Sequence, residues 1–210
     1  MSVELVPFLL ALLAAGAAAG LIAGLFGIGG GVIMVPAMFY ALSALGYGEH
    51  AMHTAVGTSL AVIIATSARS VMAHAQRGAV DFHVIRTWAP WIILGALSGS
   101  AIAGFAPGRA LTGLFGLVAL LLSLQFFFGR PERVLAPDLP GLPLRGLLGA
   151  LIGVLSSLMG IGGGVFGVTL LTLCNRPIHQ AVATAAGFGV AIGVPGALGF
   201  IAAGWSEPAR

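Results

Sequence analysis

The most informative stretch of this chain is Gly27-Ile28-Gly29-Gly30-Gly31-Val32, which interrupts a long apolar run with glycines and carries no charge. Consecutive glycines weaken a helix, and a bilayer tolerates such a break only where the backbone is buried in protein or faces a watery cavity. The stretch recurs as Gly160-Ile161-Gly162-Gly163-Gly164-Val165. After each of these two glycine motifs comes a further match, His53 to Thr58 against His179 to Thr184. The chain therefore contains an internal repeat.

The composition indicates an integral membrane protein. Hydrophobic residues make up 59% of the 210 residues, charged residues only 7%, and the mean hydropathy is +1.08. A soluble domain has about 25% charged residues, so an ordinary soluble enzyme is excluded. We find no catalytic Ser-His, Cys-His or carboxylate pair, and we predict that the protein is not an enzyme. The single Cys174 excludes an internal disulfide framework.

Apolar segments are long enough, in several places, to cross the bilayer as helices of about 17 to 25 residues. We identify about eight candidates, at approximately 5–26, 28–46, 54–75, 84–105, 110–128, 144–159, 161–174 and 181–204. Because the sixth and seventh are short, we expect the glycine-rich joins at 27–31 and 160–164 to lie inside the membrane. Runs that are apolar on every side exclude a β-barrel. The predicted fold class is all-α, a polytopic transmembrane helical bundle.

The repeat and the polar connections suggest how the chain is divided. Residues 1–128 form a first membrane repeat, 129–143 a proline-rich linker, and 144–210 a second membrane repeat. The second repeat is apparently shortened, because it has no counterparts of the fourth and fifth segments. Either the chain is a truncated member of its class or a second subunit, in a homo-oligomer, supplies what is absent.

The arginines predict the orientation in the membrane. If every candidate spans, the connections at 76–83, 129–143 and 175–180 share one side. In or beside them lie six of the nine basic residues, Arg77, Arg86, Arg130, Arg133, Arg145 and Arg176. The positive-inside rule places this side in the cytoplasm and the N-terminus outside, in a multi-pass protein of the inner (plasma) membrane. The two repeats then have inverted topology, as in many secondary transporters.

Broken helices expose backbone amides that attract anions, so the two glycine motifs predict a central binding site. We expect amides from Gly29, Gly30 and Gly31 of the first motif and from Gly162, Gly163 and Gly164 of the second. The alternative is close helix packing through small residues, for example Gly16, Gly20, Gly24 and Gly27. A dinucleotide-binding loop is excluded because a strand and a soluble helix do not flank the motif.

Polar residues inside the apolar segments complete the predicted site. Arg69 would supply charge to an anionic substrate, or its side chain would extend to the headgroups. Thr58, Ser59 and Thr184 would donate hydrogen bonds, or would bond back to their own helices.

The histidines allow two functions. We predict that His53 and His179, beside the cavity, respond to protonation. We predict no metal site and no cofactor, because the histidines do not form a His-Glu-x-x-His pattern. The scattered arginines give no nucleic-acid-binding patch. The expected partners are the lipid bilayer and a small anion.

The chain resembles the TauE/SafE sulfite exporter family. The resemblance rests on Gly24 to Pro36, on Ala55 to Leu60 and on His74 to Asp81, and the second motif at 160–165 completes it. It covers residues 6 to 205. It implies a proton-driven permease with repeated halves for sulfite, organosulfonates and other sulfur-containing anions. From the repeat itself we predict alternating access, in which the two repeats rock around a central site.

Two other functions stay open at this stage. In a non-transporting assembly or sensory subunit, the glycine-rich segments would be only packing surfaces. A metal-ion carrier would use histidines such as His50 and His53. The sequence does not distinguish among sulfite, thiosulfate and short sulfonates, nor import from export.

Overall fold

The computed structural model describes residues 13, 16, 17, 20, 21, 30–128 and 134–205. From residue 30 onward the described residues contain seven α-helices, one short 3-10 turn at Gly48–His50, and no strand. The helices are α1 Gly31–Ala44, α2 Ala51–Ala75, α3 Phe82–Phe105, α4 Gly108–Phe128, α5 Leu144–Met159, α6 Gly164–Leu173 and α7 Ile178–Trp205. The predicted all-α membrane bundle is confirmed.

Four of the described helices are long and apolar enough to cross a membrane. They lie at Gly48–Ala75, Phe82–Phe105, Gly108–Gln125 and Ile178–Trp205. The remaining helices, α1, α5 and α6, have 14, 16 and 10 residues and are apolar but shorter. The predicted number of eight spanning segments is therefore not confirmed. Most of the first candidate, 5–26, lies outside the described residues.

Contacts between connections define the two ends of the bundle. At one end the amide of Asp81, just before α3, donates a hydrogen bond of 3.0 Å to Oγ1 of Thr184 in α7. At the same end Arg176 forms an ion pair of 2.9 Å with Asp138 of the linker. We call this the arginine-rich end, formed by residues 76–81, 134–143 and 174–177. The opposite end is formed by residues 45–50 and 106–107.

Close helix contacts in the bundle depend on glycine. In α3, a Cβ added at Gly95 would collide with the backbone of Ala150 in α5, and one added at Gly99 with Ser157 of the same helix. Likewise, a Cβ added at Gly153 of α5 would collide with the backbone of Ile92 in α3. Small residues thus let α3 and α5 run side by side, as expected for membrane helices without a hydrophobic driving force between them.

Helices α2 and α7, which carry the matched sequences after the two motifs, cross in opposite directions. Gly57 of α2 packs on Phe200 of α7, and Ser67 near the other end of α2 packs on Gly189. Between them, Leu60 contacts Gly193. The equivalent helices of the two repeats therefore pair antiparallel at the centre of the fold.

Candidate functional site

The two glycine motifs meet in the interior of the bundle. Gly31, at the first turn of α1, is buried against the second motif, where an added Cβ would collide with the carbonyl oxygen of Gly160. The same Cβ would lie 2.9 Å from Cα of Ile161. No residue with a side chain fits at this crossing without a shift of backbone. Close packing through glycine therefore occurs at Gly31. The glycines named for packing lie elsewhere: an added Cβ at Gly16 or Gly20 meets no described atom within 4 Å, and Gly24 and Gly27 lie outside the described residues.

The second motif forms the tip of a helical hairpin. Gly160 ends α5 with φ +67° and Gly163 precedes α6 with φ +65°, and side chains rarely adopt this left-handed backbone. The amide of Ile161 donates to the carbonyl oxygen of Ser156 at 2.9 Å, a bond typical of a glycine-terminated helix. Residues 160–165 are all buried.

The hairpin enters the bundle from the arginine-rich end and returns to it. Its tip reaches Val56 and Ser59 of α2, within about 12 Å of the start of that helix at 1.5 Å rise per residue. From there α6 runs back antiparallel to α7, and the carbonyl oxygen of Leu173 at its end accepts hydrogen bonds from linker residues Leu135 and Ala136. The glycine-rich join at 160–164 thus lies inside the bundle, as expected from the short sixth and seventh candidates.

The helices that follow the two motifs leave the crossing in opposite directions. After Gly31, α1 leads to the opposite end, where residues 45–50 connect it to α2. After Gly164, α6 leads to the arginine-rich end and α7. The motif-containing parts of the repeats therefore have the inverted arrangement.

The start of α6 presents backbone donors inside the protein. Among the described residues, no acceptor bonds the amides of Gly164, Val165 and Phe166, and the amide of Gly167 donates to Gly163 at 2.7 Å. These groups and the helix dipole create a positive local potential. Of the residues predicted for this role in the first motif, Gly30 precedes α1 and is half-buried. Gly29 lies outside the described residues.

The three predicted hydroxyl donors lie in different places. Ser59 donates a hydrogen bond of 2.8 Å to the carbonyl oxygen of Gly160 and so attaches the hairpin tip to α2. Thr58, the next residue along α2, lines a cavity at the opposite end. Thr184 lies at the arginine-rich end, where it accepts a bond from Asp81. By contrast, Thr66 bonds back to Val62 of its own helix at 3.1 Å.

The two predicted proton-responsive histidines occupy opposite ends and different environments. His53 is buried, and its Nε2 lies 3.1 Å from the carbonyl oxygen of Ala103 and 3.0 Å from that of Ala106. These carbonyls end α3, so an Nε2–H would donate to them. His179, its equivalent in the second repeat, is exposed at the start of α7.

The structure does not place Arg69 at the glycine crossing. Its side chain is exposed on α2, six residues before the end of that helix at Ala75, and it makes no hydrogen bond or ion pair with another described residue. This placement suits a guanidinium that extends toward the headgroups, the second of the two roles predicted for it.

A cavity of 450 Å³ lies between the first half of α2 and the last half of α7. Its polar lining comes from His53, Thr54 and Thr58, and its apolar lining includes Phe200 and Trp205. The volume falls within the range of about 300–1,000 Å³ typical of small-molecule sites.

The histidines are divided between the two ends of the bundle. His50 and His74 flank α2 and are separated by about 36 Å at helical rise. In the part of the chain that the structure describes, no three His, Cys, Asp or Glu side chains are grouped so that they could hold a metal.

Sequence reasoning missed the polar contacts at the arginine-rich end. Asp81 caps α3 through a 3.0 Å bond from the amide of Val84, and Asp138 pairs with Arg176. An aspartate directly before an apolar helix is a recognisable N-cap, so the first contact had a signal in the sequence. The second joins residues 38 positions apart and had none.

Comparison with known proteins agrees with this architecture. Residues 12–209 match the family described as sulfite exporter TauE/SafE. The chain belongs to the TauE/SafE family. The match covers both repeats, so the resemblance stated from the glycine motifs is confirmed.

Relatives in three microorganisms carry the same general name. The chain is 35% identical to a probable membrane transporter protein of Haemophilus influenzae over 96% of its own length and 76% of that protein's. It is 28% identical to one from Methanocaldococcus jannaschii, covering 80% of this chain and 63% of the relative. It is also 28% identical to the probable membrane transporter protein YdhB of Bacillus subtilis, covering 90% of this chain and 77% of the relative. No solved structure matches the chain. Membership of this family makes the protein a multi-pass membrane transporter.

Proposed function

We propose that this TauE/SafE protein is a secondary transporter, a permease, for small anions, most specifically sulfite, organosulfonates or related sulfur-containing anions. The observation that supports it best is the meeting of the two glycine motifs inside the bundle, with helices that leave in opposite directions. Inverted repeats around broken helices are the arrangement in which transporters hold ions near the membrane midplane. The family description, sulfite exporter, agrees with an anionic substrate.

The anion is expected to bind near the start of α6. There the amides of Gly164, Val165 and Phe166 have no acceptor among the described residues, and the first two residues are buried. A sulfur oxyanion carries several acceptor oxygens that such amides can bond, and helix N-termini stabilise negative charge. In this proposal Gly162 and Gly163 supply the sharp backbone turn that aims the amides. Gly29 to Gly31 would do the same from the first repeat.

Transport is proposed to be coupled to protons and to proceed by alternating access. His53 is the residue we assign to coupling, because it is buried beside the cavity and can gain or lose a proton at Nδ1. Its Nε2–H donates to the two carbonyl oxygens at the end of α3 in either state and so holds the ring in place. The antiparallel pair of α2 and α7 would rock as the two repeats exchange conformations.

The orientation follows from charge. Among the described residues, Arg77 and Arg176 belong to the arginine-rich end, and Arg86 and Arg145 lie in the first turns of the helices that start there. Arg109 lies in the first turn of α4, beside the opposite end. We propose that the arginine-rich end is cytoplasmic, in an inner (plasma) membrane. A homo-oligomer remains part of the proposal.

Two measurements test this function. Purified protein in proteoliposomes should take up labelled sulfite or a short sulfonate when a pH gradient is imposed, and should not take up acetate comparably. In detergent, the same anion should raise the unfolding temperature, because a ligand that binds only the folded state stabilises it. Failure of sulfite, thiosulfate, sulfate and sulfonates in both assays, with stabilisation by a divalent metal instead, would overturn the anion assignment.

A further inference from the structure

Equivalent positions in the two repeats line spaces of very different size. Thr54 and Thr58 of α2 correspond, in the repeated sequence, to Gln180 and Thr184 of α7. The first pair lines the 450 Å³ cavity at the opposite end. The second pair lines a space at the arginine-rich end that has no room for a water molecule. One copy of the repeated sequence is therefore open and the other sealed.

Specific contacts seal the copy in α7. The hydroxyl of Thr184 is 1% exposed and accepts the bond from the amide of Asp81. Val84 of α3 and Leu171 of α6 fill the space beside it and are also buried. Arg176, which lines the same space, is held by Asp138 of the linker. Three elements of the chain thus converge on Thr184.

The copy in α2 lacks these contacts. Thr58 is half-buried, and its hydroxyl makes no hydrogen bond with any described residue. Facing it across the cavity are Ala197, Phe200 and Ile201 of α7, which offer no polar partner from their side chains. A hydroxyl in such a place has bonding capacity left for water or for a solute.

We propose that Thr58 and Thr184 mark the two ends of a single substrate path, which open alternately, and that this structure is the state open on the Thr58 side. The inference rests on the proposed transport function. In inverted-repeat proteins the opposite state arises when each repeat adopts the conformation of the other. In that state Thr184 loses the Asp81 amide and faces a cavity, while Thr58 becomes enclosed. The mainly apolar wall admits a small organic anion as well as an inorganic one.

Thiol accessibility tests the proposal without requiring transport. Cys174 is the only cysteine, so a Cys174→Ala background permits single-cysteine variants Thr58→Cys and Thr184→Cys. They are labelled in detergent with a charged methanethiosulfonate, which reaches both ends of the protein. Thr58→Cys should react about tenfold faster or more, because labelling a sealed site requires local opening at a cost in free energy. Thr66→Cys is the matched control, on the same helix but outside the cavity. It should react slowly, because its lipid-facing surface is covered by detergent that the charged reagent does not enter.

A second pair keeps the test valid if Thr184→Cys disturbs folding. Thr54→Cys, in the cavity, should also react faster than Leu171→Cys, whose parent side chain lines the closed space and is 1% exposed. Equal rates in both pairs, or a Thr58→Cys no faster than Thr66→Cys, would overturn the proposal even if the protein transports anions. If the labelling rates differ as expected but the protein moves no anion in proteoliposomes, the cavity is not part of a transport path. That outcome would overturn the proposed function as well.

Discussion

Ser59 donates a 2.8 Å hydrogen bond to the carbonyl oxygen of Gly160, which lies 101 residues further along the chain. Ser59 is fully buried, and Gly160 is the residue at which the hairpin of α5 and α6 turns. The bond therefore joins a spanning helix of the first repeat to the broken helix of the second. Because both partners lie inside the bundle, neither can exchange this bond for one to bulk water.

Ser59→Ala should lower the free energy of unfolding by about 1–2 kcal/mol. The substitution leaves the buried Gly160 carbonyl without its donor, and water cannot replace the lost bond there. Thr66→Ala is the matched control. Its hydroxyl is exposed and bonds its own helix at Val62, so its loss should cost less than about 0.5 kcal/mol. Unfolding by denaturant in detergent gives both values. Equal losses would show that the Ser59 bond contributes nothing specific.

Gly31→Ala should destabilise the glycine crossing, because its Cβ would meet the Gly160 carbonyl. Overpacking of this kind costs about 1–3 kcal/mol, and here it also separates the two motifs. Gly113→Ala in α4 is the control, since an added Cβ there meets nothing within 4 Å among the described residues. That variant should be as stable as the parent or slightly more so. A thermal unfolding series measures the difference, and a Gly31→Ala protein as stable as Gly113→Ala would contradict the crossing.

His53→Gln and His53→Phe separate packing from proton coupling. Gln retains an N–H donor for the Ala103 and Ala106 carbonyls, whereas Phe retains only the ring. We expect His53→Gln to fold nearly as well as the parent, but to transport at a rate that no longer depends on pH, because glutamine does not exchange a proton as imidazole does. His53→Phe should be less stable, because the Ala106 carbonyl loses the imidazole donor and the Ala103 carbonyl keeps only the amide of Ala106. A His53→Gln protein with an unchanged pH profile would remove His53 from the coupling step.

Much of the architecture could be predicted from the two glycine motifs. They indicated the repeat and the break at 160–164 inside the bundle, because four-glycine motifs without charge are informative in an apolar chain. The inverted arrangement was predicted from the arginines in the connections. The cavity could not be predicted. Phe200 and Ala197 lie in a helix that is apolar on all sides, so no periodicity shows which face is empty. The contact of Asp81 with Thr184 joins residues 103 positions apart, and spacing alone does not reveal it.

The reactivity of the Cys174 thiol depends on Asp138 and Arg176 at the arginine-rich end. Burial raises the pKa of its thiol, Asp138 raises the pKa further, and Arg176 opposes them. A maleimide should therefore react slowly with folded protein near neutral pH, because the thiolate is the reactive form. Asp138→Asn should lower the pKa and speed the reaction, and Arg176→Gln should slow it.

The same shift has a consequence for stability. Since folding raises the pKa of Cys174, the folded state is favoured below the thiol's unfolded pKa, and this contribution is lost as pH rises through the folded pKa. Cys174→Ser should flatten that part of the pH-stability curve at alkaline pH. Unfolding of the parent and of Cys174→Ser from pH 7 to 10 measures this difference. The labelling rates of Asp138→Asn and Arg176→Gln over the same pH range check the cause of the pKa shift. A faster reaction in Arg176→Gln would contradict the assigned cause.

Arg69→Leu tests whether the only arginine within the body of α2 binds substrate or contacts headgroups. If it supplies charge to the anion, the variant should insert and fold normally but lose uptake and lose the stabilisation that sulfite gives to the parent protein. Arg69→Lys would restore part of both. Arg77→Leu, which removes an exposed arginine just beyond the same helix, is the control and should retain uptake. Since Arg69 is exposed and unbonded among the described residues, full transport by Arg69→Leu would assign it to the headgroups. The anion would then depend on the backbone amides of the two glycine motifs for its charge partner.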